Sequence, residues 1–203
     1  FERLEAEALR RSVQWLLAQS RKESGFLRQL RLRLLGARPD QNSGYEGWPW
    51  FPGTAAWVGP TAITVLAMEK ARRRLAVPGL EQRLRSGRQF LWSRMCRDGG
   101  WNYGSTSALG YDIGSYPETT GLALLALHGA ANPNLPLALG AAKRHLSFCR
   151  SSEGTSWLHL ALLAHSSGVS STPSWQPPSH NVVDSALALL AEQAAAGRNP
   201  FLE

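Results

Sequence analysis

Asp98-Gly99-Gly100-Trp101-Asn102-Tyr103-Gly104 follows a helical run that ends at Cys96. Adjacent glycines let the chain reverse where side chains would collide. The tryptophan behind them is placed to cap the reversal by packing across helix ends. Two other blocks combine turn residues and aromatics ahead of an apolar run. Upstream stands Gly47-Trp48-Pro49-Trp50-Phe51-Pro52-Gly53-Thr54-Ala55-Ala56-Trp57-Val58-Gly59-Pro60-Thr61-Ala62. Downstream stands Tyr116-Pro117-Glu118-Thr119-Thr120-Gly121-Leu122-Ala123-Leu124-Leu125-Ala126-Leu127.

Outward from these blocks the chain reads as helices. Leu4 to Gln19 is amphipathic, with Leu9, Val13, Leu16 and Leu17 on one stripe. Phe26 to Leu35 mixes Leu with Arg and reads as a short second helix, and 36–59 is a loop rich in Pro, Gly, Asn and Trp. Pro60 and Thr61 open a helix to about Leu75; Pro78 and Gly79 break it, and a partner runs from Leu80 to Cys96. The pattern returns with an apolar helix over Thr119–Ala130, a break at Asn132-Pro133-Asn134, and a helix over Leu135–Cys149. A short apolar run over Ser156–His165, a Pro/Ser loop over 166–179 and a last apolar helix over Asn181–Ala196 complete it. Helices apolar on most faces (Thr61–Met68, Gly121–Leu127, Val182–Leu190) alternate with more charged ones (Leu80–Arg97, Leu139–Arg150). The first kind must be buried and the second kind coats it.

Composition bounds the reading. A chain of 203 residues with 43% hydrophobic and 18% charged residues is a folded single domain, 1–203, rather than a disordered segment. The net charge of +7 gathers in Arg28, Arg31, Arg33 and Arg38 and in Arg72, Arg73, Arg74, Arg83, Arg85 and Arg88. Without an aromatic-and-basic stripe this reads as a solvated helix surface, not a nucleic-acid site. Cys96 and Cys149 lack metal-ligand spacing; free thiols and a single disulfide both stay open. No apolar run is long enough to span a membrane. The start at Phe1 reads as that of a processed product or a fragment. Of the eight tryptophans, Trp48, Trp50, Trp57, Trp101 and Trp175 lie by Gly or Pro turns, which places them at helix ends or at a cavity mouth.

The three blocks together resemble the prenyltransferase and squalene-cyclase repeat family. That resemblance implies an all-α fold, an α-α toroid in which an outer ring of helices wraps an inner ring. The family's repeat ends a helix with Gln before a short linker and Gly-x-Trp; here Met95 stands in the Gln place ahead of Asp98–Trp101. Three copies are expected: Arg11 to Gln19, Arg88 to Trp101, and Lys143 to Gly154-Thr155-Ser156-Trp157. A closed toroid has about six hairpins of about 45–50 residues, whereas this chain supplies about four. An open or partial ring follows, which a partner subunit or self-association would complete.

The resemblance implies an isoprenoid-like hydrophobic ligand held in an aromatic cavity lined by Trp48, Trp50, Trp57, Trp101, Tyr103 and Tyr116. It also implies a cytoplasmic protein, with peripheral membrane contact through the Arg-rich Leu27–Leu35 segment. The Asp-x-Asp-Asp acid cluster of the cyclases is absent, as are the Asp, Cys and His zinc ligands of the protein prenyltransferases, so no cofactor or metal is expected. Glu118, at the start of an inner-type helix, is the candidate acid; the alternative is a carboxylate serving the helix N-terminus. Asp98 reads as a turn residue and Asp112 as a loop carboxylate. His180 and Asp184 share a helical face as a capping pair, and His128 and His145 read as isolated surface or helix-end residues. The rival to an isoprenoid-handling enzyme is a non-catalytic scaffold that keeps the architecture.

Overall fold

The computed structural model describes residues 2–19, 21–22, 45–108, 111–167 and 181–203. Among them the fold is all-α: seven helices, with strands of only two residues each. The expected helix over Phe26–Leu35, its arginines, Trp175 and His180 lie outside the described residues. The chain divides into two compact units, Phe1–Arg94 and Met95–Glu203.

The first unit holds α1 (Glu2–Ala18), α2 (Val58–Arg72) and α3 (Leu80–Ser93), with β1 (Arg21–Lys22) antiparallel to β2 (Glu46–Gly47). Val58, Ala62, Val65 and Met68 are wholly buried along α2, as its all-round apolar sequence requires. The α2–α3 hairpin turns at Gly79, whose φ of 81° is the left-handed conformation that glycine adopts without strain. Against α2, α3 sets Leu84, Phe90 and Leu91 into the core and keeps Glu81, Gln82 and Arg85 outside.

The second unit holds α4 (Pro117–Ala126), α5 (Leu135–Phe148), α6 (Ser152–Ala164) and α7 (Val182–Ala195), plus a small hairpin of β3 (Ser107–Ala108) and β4 (Tyr111–Asp112). Residues Thr119 through Ala126 of α4 are all buried. The centre of this unit is α6, which packs against α4, α5 and α7. It starts at Ser152, four residues ahead of the expected Ser156, because the Ser151 hydroxyl caps it by accepting the Gly154 N–H at 3.1 Å. Consequently Gly154-Thr155-Ser156-Trp157 is helical and does not match the Gly99–Trp101 turn, contrary to the repeat register expected from sequence. The three residues between α5 and α6 leave no room for such a turn. Cys96 and Cys149 are both free thiols. No described helix is long and apolar enough to cross a membrane.

Candidate functional site

One hydrogen-bond pattern occurs in both units and positions most of the aromatic residues. In the first, the Trp48 N–H donates to the Thr61 hydroxyl at 2.8 Å, and the Trp57 N–H donates to the Trp48 carbonyl at 3.1 Å. In the second, the Trp101 N–H donates to the Thr120 hydroxyl at 2.9 Å, and the Tyr116 N–H donates to the Trp101 carbonyl at 2.9 Å. Trp57 and Tyr116 are the N-caps of α2 and α4, both with extended backbones. Each threonine lies four residues beyond its N-cap and clamps a Gly-Trp turn across the start of a buried helix. The glycine ahead of the tryptophan is what permits the approach. A Cβ on Gly47 would stand 2.7 Å from the Thr61 hydroxyl, and one on Gly100 would stand 2.6 Å from that of Thr120.

The clamps separate the six aromatic candidates into two kinds. Trp48 and Trp101 are buried and belong to the packing of their units. The Trp48 indole N–H donates to the Leu16 carbonyl at 2.8 Å, and the Arg83 guanidinium lies 3.8 Å above its ring. Burial pushes Arg83 down to about 10, against the pull of the Glu46 charge. The other four remain accessible: Trp50 is 59% and Trp57 42% exposed, Tyr103 60% and Tyr116 42%. They occupy equivalent places, two residues after the buried tryptophan and at the helix N-cap. The Tyr103 and Tyr116 rings lie 5.4 Å apart at 43°, while the Trp50 ring would touch a Cβ on Gly59 at 3.3 Å.

Glu118 is half-buried in the first turn of α4. Its Oε1 would lie 3.0 Å from a Cβ on Gly154, and Cys149 Sγ 2.9 Å from the same point, so both side chains line the start of α6. Beside them is a network that the sequence reading missed. Asp98 Oδ1 accepts the Gly100 N–H at 3.1 Å, and Oδ2 accepts both the Ser115 N–H and the Ser115 hydroxyl at 2.9 Å. The Ser115 oxygen is 2.7 Å from His145 Nε2, and Arg144 donates to the Asp98 carbonyl at 2.5 Å. Burial alone would raise the Asp98 carboxyl, but the Ser115 and Gly100 donors and His145 together hold it below its ordinary value. His145 lies in the last turn of α5, the helix-end place expected from sequence, but it is buried and bonded to Ser115 rather than isolated at the surface. Desolvation lowers its pKa despite the Asp98 charge.

The order of these groups decides their chemistry. The Ser115 hydroxyl donates its hydrogen bond to the Asp98 carboxylate, so its oxygen accepts from His145 Nε2–H. The imidazole therefore does not act as the serine's base, and its buried Nδ1 has no partner where a nucleophilic triad needs an orienting carboxylate. The network is a latch that ties the Gly-Trp turn and the 114–116 segment to α5. Asp112 pairs with Arg97 at 2.7 Å on the surface. Asp184 sits in the first turn of α7, which the Asn181 side chain caps by accepting the Val183 N–H; the expected pair with His180 lies outside the described residues. Among the described residues, no three His, Cys, Asp or Glu side chains gather as a metal site. No protein-family model, curated protein or solved structure matches this chain.

Proposed function

We propose that this chain is a helical-hairpin domain of the α-α toroid type, an open or partial ring. Its accessible aromatics hold an apolar ligand of the isoprenoid class. The observation that carries the reading is the repeated aromatic pair, Trp50 with Trp57 and Tyr103 with Tyr116, set by the same clamp at the start of a buried helix in each unit. Packing needs explain Trp48 and Trp101 but not two half-exposed rings kept beside each of them. A half-exposed aromatic ring offers on the order of 100 Å² to a ligand, worth roughly 2 kcal/mol when covered. Such faces also suit a polarised or cationic isoprenoid carbon. If the bound ligand is protonated, Glu118 is the acid that stands nearest the α4 N-cap.

The scaffold reading is favoured by the same exposures, because a protein partner that completes the ring would cover the same rings. Native mass spectrometry and tryptophan quenching with farnesol, geranylgeraniol and squalene separate the two. The ligand reading expects saturable binding, weakened about 5- to 30-fold by Trp57→Ala or Tyr116→Ala. Unchanged affinity in both variants, or no binding with a stable self-complex present, refutes it in favour of the scaffold.

A further inference from the structure

At the opposite, C-terminal ends of α4 and α6, two histidines are brought together that the sequence holds 37 positions apart, His128 and His165. Their ring centroids are 5.5 Å apart and the planes lie at 72°. His165 Nε2 is 3.0 Å from the Leu124 carbonyl. A carbonyl oxygen only accepts, so Nε2 carries the proton and Nδ1 presents its lone pair. That is the arrangement of metal-ligating histidines, whose second ring nitrogen donates to a carbonyl or carboxylate that fixes tautomer and orientation.

We propose that His128 and His165 form a two-imidazole site for a divalent transition-metal ion of the copper, nickel and zinc class. The ring separation fits. With a metal–nitrogen bond of about 2.0 Å and about 1.1 Å from nitrogen to centroid, two imidazoles at a near-tetrahedral angle have centroids about 5.1 Å apart. The observed 5.5 Å lies within a small ring adjustment of that value. His128 is exposed and His165 partly buried, and both line an opening of about 380 Å³ with Gly129 and Ser166 at its rim, which gives room for water to complete the coordination. His165 follows directly on the C-terminus of α6 and His128 lies two residues past that of α4, where the unsatisfied carbonyls present negative charge to a cation. An all-nitrogen protein donor set selects copper(II), nickel or zinc over magnesium or calcium, with copper(II) tightest.

The test is titration of the tag-free chain with copper(II), and separately zinc, by calorimetry and electron paramagnetic resonance. One ion per chain, copper hyperfine structure from two imidazole nitrogens, and loss of affinity on acidification are expected. His165→Ala also removes the bond to Leu124, so its fold is checked by circular dichroism. His128→Ala changes an exposed side chain and is the decisive variant, expected to weaken binding at least about 10-fold. Equal affinity in His128→Ala, a single coordinated nitrogen, or no binding at about 1 mM metal overturns the site.

Discussion

Replacing Gly121 by alanine tests a close helix–helix approach in the second unit. The added methyl would lie 2.5 Å from the Trp157 carbonyl carbon, 2.6 Å from the Leu158 nitrogen and 2.8 Å from Trp157 Cβ. Two of these are backbone atoms of α6, which cannot swing aside as a side-chain tip would. To restore ordinary contact at 3.4 Å, α4 and α6 must part by about 0.9 Å locally, which loosens Leu124, Leu125, Leu158 and Leu162 along the same core. Overpacking of this kind costs about 1–3 kcal/mol. Alanine's helix propensity returns about 1 kcal/mol. A net loss of up to about 2 kcal/mol is expected. Gly140→Ala in α5 is the matched control, because its methyl meets only Arg144 Nη1, at 3.5 Å. It keeps the propensity gain of up to about 1 kcal/mol. The pair should differ by about 1–3 kcal/mol in urea unfolding followed by circular dichroism, and by roughly 2–12 °C in Tm. If Gly121→Ala is as stable as Gly140→Ala, the inferred closeness of α4 and α6 is wrong.

Two shorter tests bear on the clamps and the latch. Thr120→Val removes the acceptor of the buried Trp101 N–H and should cost about 1–3 kcal/mol. Thr155→Val, at the same place in α6, removes a buried hydroxyl that has no partner and should cost less than about 0.5 kcal/mol or stabilise. Equal costs in denaturant titrations would show that the clamp bond contributes nothing. The lowered pKa of His145 sets a pH dependence. Below the unfolded-state value of 6.5 the unfolded chain binds the proton more readily than the folded one, so stability falls as pH drops from 6.5 through the lowered folded value. His145→Gln should flatten this part of the stability profile, with the remaining slope shared by His159, which burial lowers too. An unchanged profile in His145→Gln would show that the imidazole titrates alike folded and unfolded.

How far the sequence could be read follows from what each residue type reveals. Double glycine ahead of tryptophan is legible because few other residues can make that reversal, and the all-round apolar runs of α2 and α4 are buried as expected; the third such run, Val182–Leu190 in α7, instead leaves Val182, Val183 and Leu189 exposed. Thr61 and Thr120 were not legible. A threonine in an apolar helix looks like filler until its partner is known, and the partners lie 13 residues away in one unit and 19 in the other. That difference, taken up by the β3–β4 hairpin, hides the repeat from any search at fixed spacing. His145 was missed for a related reason: helical period places it on a face of α5 but says nothing about Ser115 folding back onto that face. The residues expected to line a cavity were identified as a group, but sequence could not separate Trp48 and Trp101 from the exposed four. What separates them is the clamp, which turns one ring inward and leaves the ring two positions on outside.

The clamp also redefines the repeating unit. Counted from the N-cap, α2, α4, α6 and α7 carry Thr61, Thr120, Thr155 and Ser185 at the same fifth place, each with its N–H returned to the N-cap carbonyl. A small residue follows in every case: Ala62, Gly121, Ser156 and Ala186. Only α2 and α4 place a Gly-Trp turn on the hydroxyl; in α6 the hydroxyl is buried without a partner, and in α7 Ser185 bonds back to the Asn181 carbonyl at 3.1 Å. The constant part is thus the hydroxyl followed by a small residue; in α2, α4 and α6 that small residue is buried and lets the helix start close to its neighbours, whereas Ala186 of α7 is exposed. The Gly-Trp turn is an addition to two of the four helices. Since, among the described residues, the exposed aromatic pairs occur where that turn is present, the turn and not the helix repeat is the element to vary when the binding surface is mapped.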